Sequence, residues 1–401
     1  MAEMTLTRAI YIAESPFSQH DENVLGVSNL SKLGLEIEFW EVAPIFLPRS
    51  ERQYVDPPQS GAVRRFTSMD SLCTECVALT EADIVFVLCG VYVHQLRSHV
   101  EMIHALGQSE AMLVAISQGN MPHLRNRFRG RGPKDLMYAG LRLARRSSHL
   151  RRKISSRHSI TLRTLDWIWA GVTVSSIDAN LIGLNTKISY IHNLDYDRVL
   201  SLGTFKRSGC RTAIFLDHMG FSHPDIFTLG MKLSTNDEDS YFRAIRKAFD
   251  EFELESGLTV EIAGHPRAKV GSLERHYGGR RVRYQETAEA IAEASIILLS
   301  HASTAVGIAV ALHCPLMVLH SKTFPREQME STRILSRLLH VPIVDLECEL
   351  KDWSIPIIDD LAYASYMLKY VKKTETPELP FWEIVADELK DNYNFESNGC
   401  S

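Results

Sequence analysis

Short apolar runs alternate with amphipathic stretches from the amino terminus onward. Ala9 to Ala13 predicts a strand, Asp21 to Leu33 a helix closed by Gly34, and Glu36 to Val42 a second strand, a βαβ unit. Ile84 to Cys89 and Met112 to Ile116 follow as strands, with a helix from Val91 to Leu106 between them. Thr164 to Ala170, Gly171 to Ser175 and Ile188 to His192 supply the last strands and turns of this half, and the polar stretch Asn193 to Arg211 reads as a linker. The pattern restarts at Thr212. Strands are expected at Thr212 to Leu216, Leu258 to Ala263, Ser295 to Leu299 and Leu316 to Leu319, with helices at Ser240 to Ser256, Thr287 to Ala294 and Ser303 to Leu312. Such alternation predicts open parallel sheets. The expected fold is α/β, with two Rossmann-like domains, residues 1–195 and 205–360, facing a cleft. Residues 361–401 form a helical tail, Leu361 to Val371 and Pro380 to Leu389, able to pack back on the first domain.

Composition narrows the class. With 401 residues, 45% hydrophobic and 23% charged, the chain has material for two buried cores and is not disordered. The net charge of −5 argues against a general nucleic-acid binder. It is unevenly spread: Pro122 to Arg157 holds ten Arg and two Lys against one Asp, a charge of +11, which leaves −16 on the remainder. That basic segment mixes Arg with Leu, Met, Tyr and Phe, so it reads as solvated helix faces or as attraction to an anionic acceptor or lipid headgroups through Arg125 to Arg157. No RNP, KH or helix-turn-helix pattern accompanies it, and nucleic acid is not expected as a partner. The seven scattered cysteines suit a reducing compartment, and the Cys73–Cys76 pair lacks the second pair that a zinc site needs. No metal is expected. No stretch approaches the roughly 20 apolar residues that span a bilayer.

Candidate chemistry gathers at predicted strand ends. The strand before Gly264 delivers His265, Pro266 and Arg267 into a loop, a ring and a cationic fork suited to phosphate or carboxylate. A later strand runs into Ser300, His301, Ala302, Ser303 and Thr304 and then into a small-residue helix, a geometry that meets an anion, although Ser303 or Thr304 equally suits a helix cap. Asp217 ends the first strand of the second half. It is either a nucleophile or base in a partly desolvated cleft or a residue that stiffens the following turn. In the first half, Ser15 to Asp21 follows the first strand, and His20 and Asp21 are candidates to bind an acceptor hydroxyl or act as general base; capping by Ser18 or Asp21 is the competing reading. Asp166 is a further candidate for that role.

The segments SPFSQHD with its following helix and EFW strand, LDWIWAG, HNLDYD, FLDHMGFSHPD, GHPR, YGGR and SHASTAVGIAVAL together resemble the bacterial retaining β-Kdo transferases of glycosyltransferase family ninety-nine. The likeness spans about Ala9 to Leu319. It implies a GT-B architecture that takes Kdo from CMP-Kdo, with net retention, to a lipid-linked surface-polysaccharide acceptor such as O-antigen or capsule. By that resemblance Asp217 is the nucleophile of a double displacement, and His265, Arg267, Ser303 and Thr304 hold CMP. No DxD pair stands in a credible loop, in keeping with transfer that needs no metal and no cofactor beyond the CMP-Kdo donor. The expected location is cytoplasmic, at the inner face of the plasma membrane. A transferase for another CMP- or UDP-activated sugar, and a non-catalytic docking scaffold of glycan assembly, are the competing functions.

Overall fold

A computed structural model describes residues 5–47, 57–93, 95–118, 122, 162–203, 211–218, 235–266, 268–324 and 326–395, the side chains of residues 20, 235–237 and 327 aside. Arg267, the whole Arg125 to Arg157 segment and the MGFSHPD run after His218 lie outside the described residues. After the short β1 (Thr5–Leu6) come seven parallel strands: β2 (Arg8–Ala13), β3 (Glu36–Glu41), β4 (Ala62–Arg65), β5 (Asp83–Val87), β6 (Met112–Ser117), β7 (Trp167–Ala170) and β8 (Lys187–Tyr190). Their order is β4-β3-β2-β5-β6-β7-β8. A second parallel sheet is built from β9 (Thr212–Leu216), β10 (Thr259–Gly264), β11 (Val282–Tyr284), β12 (Ile296–Leu299), β13 (Leu316–His320) and β14 (Ile343–Asp345), in the order β11-β10-β9-β12-β13-β14. β15 (Asn394–Phe395) pairs in parallel with β1. These are two Rossmann-like α/β domains.

Both sheets are covered on both faces, which is why their central strands read as unbroken apolar runs. Along β2 the strand period of two splits the side chains. Ala9, Tyr11 and Ala13 enter one core with Phe39, Phe86 and Trp169, while Ile10 and Ile12 enter another with Leu72, Met102 and Leu106 from the helices Met69–Val77 and Leu96–Gly107. Ile214 and Leu216 part from Ala213 and Phe215 in the same way in the second domain.

Strand order reverses once in each sheet. The chain steps outward from β2 to β3 and β4, then returns to place β5 on the other side of β2; likewise β9, β10 and β11 run one way before β12 returns beside β9. The crevice beyond the carboxyl ends at such a switch point is where open α/β sheets take ligands. In this chain the two crevices lie after β2 and β5, and after β9 and β12.

The tail is divided between the domains. The helix Asp360–Tyr366 stays on the second, where Tyr363 and Tyr366 are core residues and the Tyr363 hydroxyl donates to the Cys314 carbonyl at 2.8 Å. The helix Phe381–Lys390 joins the first core through Phe381, Trp382, Val385 and Leu389, and its Glu388 accepts from Trp169 Nε1 at 2.7 Å. Each large apolar side chain buried this way contributes about 1.5–3 kcal/mol. Trp382 lies so close over Gly26 that a Cβ there would sit 2.0 Å from the indole, and the Gly26 φ of +66° is left-handed as well. Only glycine meets both conditions.

Several expected elements need correction. The helix expected over Asp21 to Leu33 is two, Gln19–Val24 and Val27–Lys32, broken at that same Gly26. The linker Asn193 to Arg211 contains a helix, Asp195–Ser201, whose Tyr196 and Val199 pack on the second domain's core beside the helix Val306–Ala311. Strands β4, β11 and β14 and the helices Met69–Val77 and Arg326–Leu339 were not expected. The three strands are sheet edges whose exposed positions break the apolar run.

Candidate active site at the sheet switch points

Asp217 directly follows β9, and its carboxylate is buried, with 9% of the residue exposed. The Tyr277 hydroxyl donates to Oδ1 at 2.6 Å, the Asp217 amide donates to the Ala263 carbonyl at 3.0 Å, and the His265 amide approaches Oδ2 at 3.5 Å. Tyr277 is fully buried and packs against Phe215, Phe242 and Phe249. Burial first, and then the charge of Asp217, push its phenol well above the usual range. The phenol therefore keeps its proton and remains a donor to Oδ1 throughout the physiological range.

His218 and His301, from the ends of β9 and β12, stack at a centroid distance of 4.6 Å and 19° between planes. The Gln328 amide nitrogen lies 2.8 Å from His218 Nε2. Ser300 is wholly buried, its hydroxyl 2.6 Å from that of Tyr241, so it serves the core and is not offered to a ligand. The helix expected from Ser303 begins at Val306 and ends at Ala311, and Ser303 Oγ accepts from the Ala305 amide at 3.3 Å. Ser303 and Thr304 remain half-buried in the loop, where the Thr304 carbonyl accepts from Gly307 at 2.8 Å. Asp217, His265, Pro266, His301, Ser303 and Thr304 thus stand on loops at one sheet edge, after β9, β10 and β12.

The first domain's candidates do not gather in this way. Asp21 closes a capping box: Ser18 donates to its Oδ2 from the amide at 2.9 Å and the hydroxyl at 2.6 Å, and the Asp21 amide donates back to Ser18 Oγ at 3.3 Å. His20 belongs to that helix, and its side chain is outside the described residues. Asp166 is a correction. β7 begins at Trp167, so Asp166 stands at the amino edge of the sheet, where Oδ2 accepts from the Leu113 amide at 2.8 Å and from Arg163 at 2.7 Å. The carboxyl edge, where ligands bind, is at the other end of the strand.

A different residue occupies the first switch point. Glu14, one position past β2, lies 2.9 Å from His99 Nε2 and accepts at Oε2 from Gln95 Nε2 at 3.1 Å. The Gly90 amide after β5 donates to Gln95 Oε1 at 2.9 Å, which fixes the amide's orientation. Tyr277, Tyr241, His218, Gln328, Glu14 and His99 were not nominated from the sequence. Two of them belong to segments singled out for their pattern, Tyr277 to YGGR and His218 to FLDHMGFSHPD. Two surface hollows, of about 450 Å³ beside Glu22 to Lys32 and about 270 Å³ between Ser240 and Lys351, touch neither switch point. Among the described residues, no group of His, Cys, Asp and Glu is placed to hold a metal ion, and no helix is long and apolar enough to cross a membrane.

No protein-family model matches the chain, and no curated protein matches it. Solved structures similar to it include MurG from Acinetobacter baumannii, with 9% identity over 96% of this chain and 99% of that one at a TM-score of 0.42. The calicheamicin glycosyltransferase CalG4 has 12% identity over 84% and 85% at 0.41. The UDP-GlcNAc 2-epimerase of Neisseria meningitidis, bound to UDP-GlcNAc, has 13% over 97% and 100% at 0.40. Likenesses this distant carry no inference about chemistry.

Proposed function

We propose that the chain is a retaining glycosyltransferase of GT-B type that moves Kdo from CMP-Kdo to a sugar hydroxyl of a bacterial surface polysaccharide. The observation that carries this reading is Asp217: a buried carboxylate at the switch point of the second sheet, held at Oδ1 by a phenol that cannot take its proton. With Oδ1 held, Oδ2 attacks the anomeric carbon, the bond to the CMP phosphate breaks, and a glycosyl ester forms on Asp217. An acceptor hydroxyl then displaces Asp217 from the opposite side, and two inversions give net retention. CMP departs with a single phosphate, which His265, Pro266, Arg267, His301, Ser303 and Thr304 hold without a metal. The two switch points face one cleft, the acceptor entering from the first domain. The Arg125 to Arg157 segment draws a lipid-linked acceptor at the cytoplasmic face of the membrane.

The test is direct. Intact-mass measurement of the protein mixed with CMP-Kdo alone should find one Kdo added, on a peptide containing Asp217, and Asp217→Asn should abolish the adduct while CMP still raises the melting temperature. Stabilisation by UDP-sugars and not by CMP would transfer the reading to another donor.

A further inference from the structure

Displacement of Asp217 by a hydroxyl releases a proton that needs a destination, and two of the three groups nominated for it serve elsewhere, Asp21 capping a helix and Asp166 lying at the far sheet edge, while the His20 side chain is outside the described residues. We infer that Glu14, backed by His99, takes the proton from the acceptor hydroxyl; this rests on the reading of the chain as a transferase. Three observations support it. Glu14 occupies the first sheet's switch point as Asp217 occupies the second's. Its side chain keeps 17% exposure while the imidazole behind it has 1%, so one member meets solvent and the other does not. And the ring's protonation pattern is restricted by its neighbours.

His99 Nδ1 is 3.1 Å from the Gln95 carbonyl, which can only accept, and 2.9 Å from Ser98 Oγ, whose own proton goes to that same carbonyl at 2.7 Å. Nδ1 therefore carries hydrogen. Only Nε2 is left to gain or lose a proton, and it faces Glu14 Oε1 at 2.9 Å, close but off the line of a hydrogen bond. A proton arriving on the carboxylate can be shared with Nε2, and the imidazolium so formed stays against a carboxylate. The other ionisable neighbour, the Cys89 thiol, is pushed well above its usual range by burial, with Glu14 adding to the shift, and stays neutral. The Phe46 ring lies over the imidazole at 3.8 Å. Gly90 makes the arrangement possible: its φ is +78°, and a Cβ there would meet His99 Cβ at 2.6 Å.

The step balances. The acceptor oxygen bonds to the anomeric carbon, the ester bond to Asp217 breaks and returns its electron pair to that carboxylate, and the hydroxyl proton ends on the Glu14–His99 pair. Glu14 is the catalytic residue; His99 is a positioning residue.

The experiment measures the half-reactions separately, adduct formation by mass and transfer by product from a sugar acceptor, in the full chain. Glu14→Gln should form the adduct at the wild-type rate and transfer about 10²- to 10⁴-fold more slowly, the range expected for loss of a general base. His99→Asn removes the nitrogen with which Glu14 shares the arriving proton, so transfer should slow and its pH profile should change while adduct formation is unchanged. Glu14→Asp is the second variant should Glu14→Gln not fold, and it should recover part of the transfer rate. Wild-type transfer in Glu14→Gln overturns the inference, and so does equal loss of both half-reactions in a folded variant. If the wild type forms no adduct while Glu14→Gln still loses transfer, the Asp217 reading fails and Glu14 stands as the base of a direct displacement.

Discussion

Among the described residues, one carboxylate stands out at each switch point, and the two are held in opposite ways. Asp217 is gripped by a phenol that keeps its proton and approached by a backbone amide, groups that orient oxygen without exchanging protons with it. Glu14 is backed by an imidazole whose one variable nitrogen faces it. Neighbours that donate aim a carboxylate's oxygens, which suits a nucleophile; a neighbour that can accept a proton suits a base. Assigning roles to two carboxylates by environment is a general rule for sites that run acid and base chemistry together.

The largest expected effect breaks the comparison outright if it fails. Asp217→Asn should abolish the adduct and lower overall transfer roughly 10⁴-fold, as removal of a member of a catalytic unit does, whereas Glu14→Gln should cost only the second half-reaction. Rapid mixing with CMP-Kdo, with and without acceptor, separates them. Equal behaviour of the two variants would mean that the switch points are not specialised.

The domains differ in how they are completed, and that difference predicts the next largest effect. The first domain borrows Phe381–Lys390 and β15 from the chain's far end, while the second is closed by segments near its own sequence. Trp382→Ala opens a cavity over Gly26 and should cost about 3–5 kcal/mol of stability. Denaturant unfolding followed by tryptophan fluorescence should find the loss in the first domain, with CMP still stabilising the second. An unchanged midpoint would mean that the tail is not part of the first core.

Legibility in the sequence follows burial and chain distance. β9, β12 and β13 could be read to within a residue or two because strands buried on both faces leave nothing polar inside them. β4, with two arginines in four residues, could not. Asp217 was visible because it ends an apolar strand, and its functional surroundings are local to that edge. Glu14 was hidden because its meaning lies in His99, which sits among Val100, Met102 and Ile103 on an amphipathic helix and reads as a core position. Asp166 was misplaced because the aromatic run LDWIWA does not say at which residue the strand begins, and a shift of a few positions changes which edge of the sheet it serves.

Tyr277→Phe tests the grip on Asp217 alone. Losing a hydrogen bond to a charged group costs about 1.5–3 kcal/mol, so adduct formation should slow about 10- to 100-fold. The pH profile of transfer should keep its wild-type position, in contrast to His99→Asn. A shifted profile in Tyr277→Phe would place proton exchange at the second switch point and erase the distinction between the two.

The smallest contrast is between two serines that do the same local work. Ser18 and Ser303 each accept from a backbone amide two or three residues ahead, at 3.3 Å in both cases. Ser18 does so inside a closed capping box, its hydroxyl also donating to Asp21, so it has nothing left for a ligand. Ser18→Ala should therefore cost about 1 kcal/mol of stability and leave CMP affinity alone. The Ser303 hydroxyl keeps its own proton to give, and on the reading of the second edge as the nucleotide's seat it gives it to the phosphate. Ser303→Ala should weaken CMP about 3- to 10-fold, the worth of one ordinary hydrogen bond, measured by the CMP concentration that half-saturates the rise in melting temperature. Equal CMP affinity in the two variants would leave Ser303 a turn residue and return the phosphate to the His265 loop.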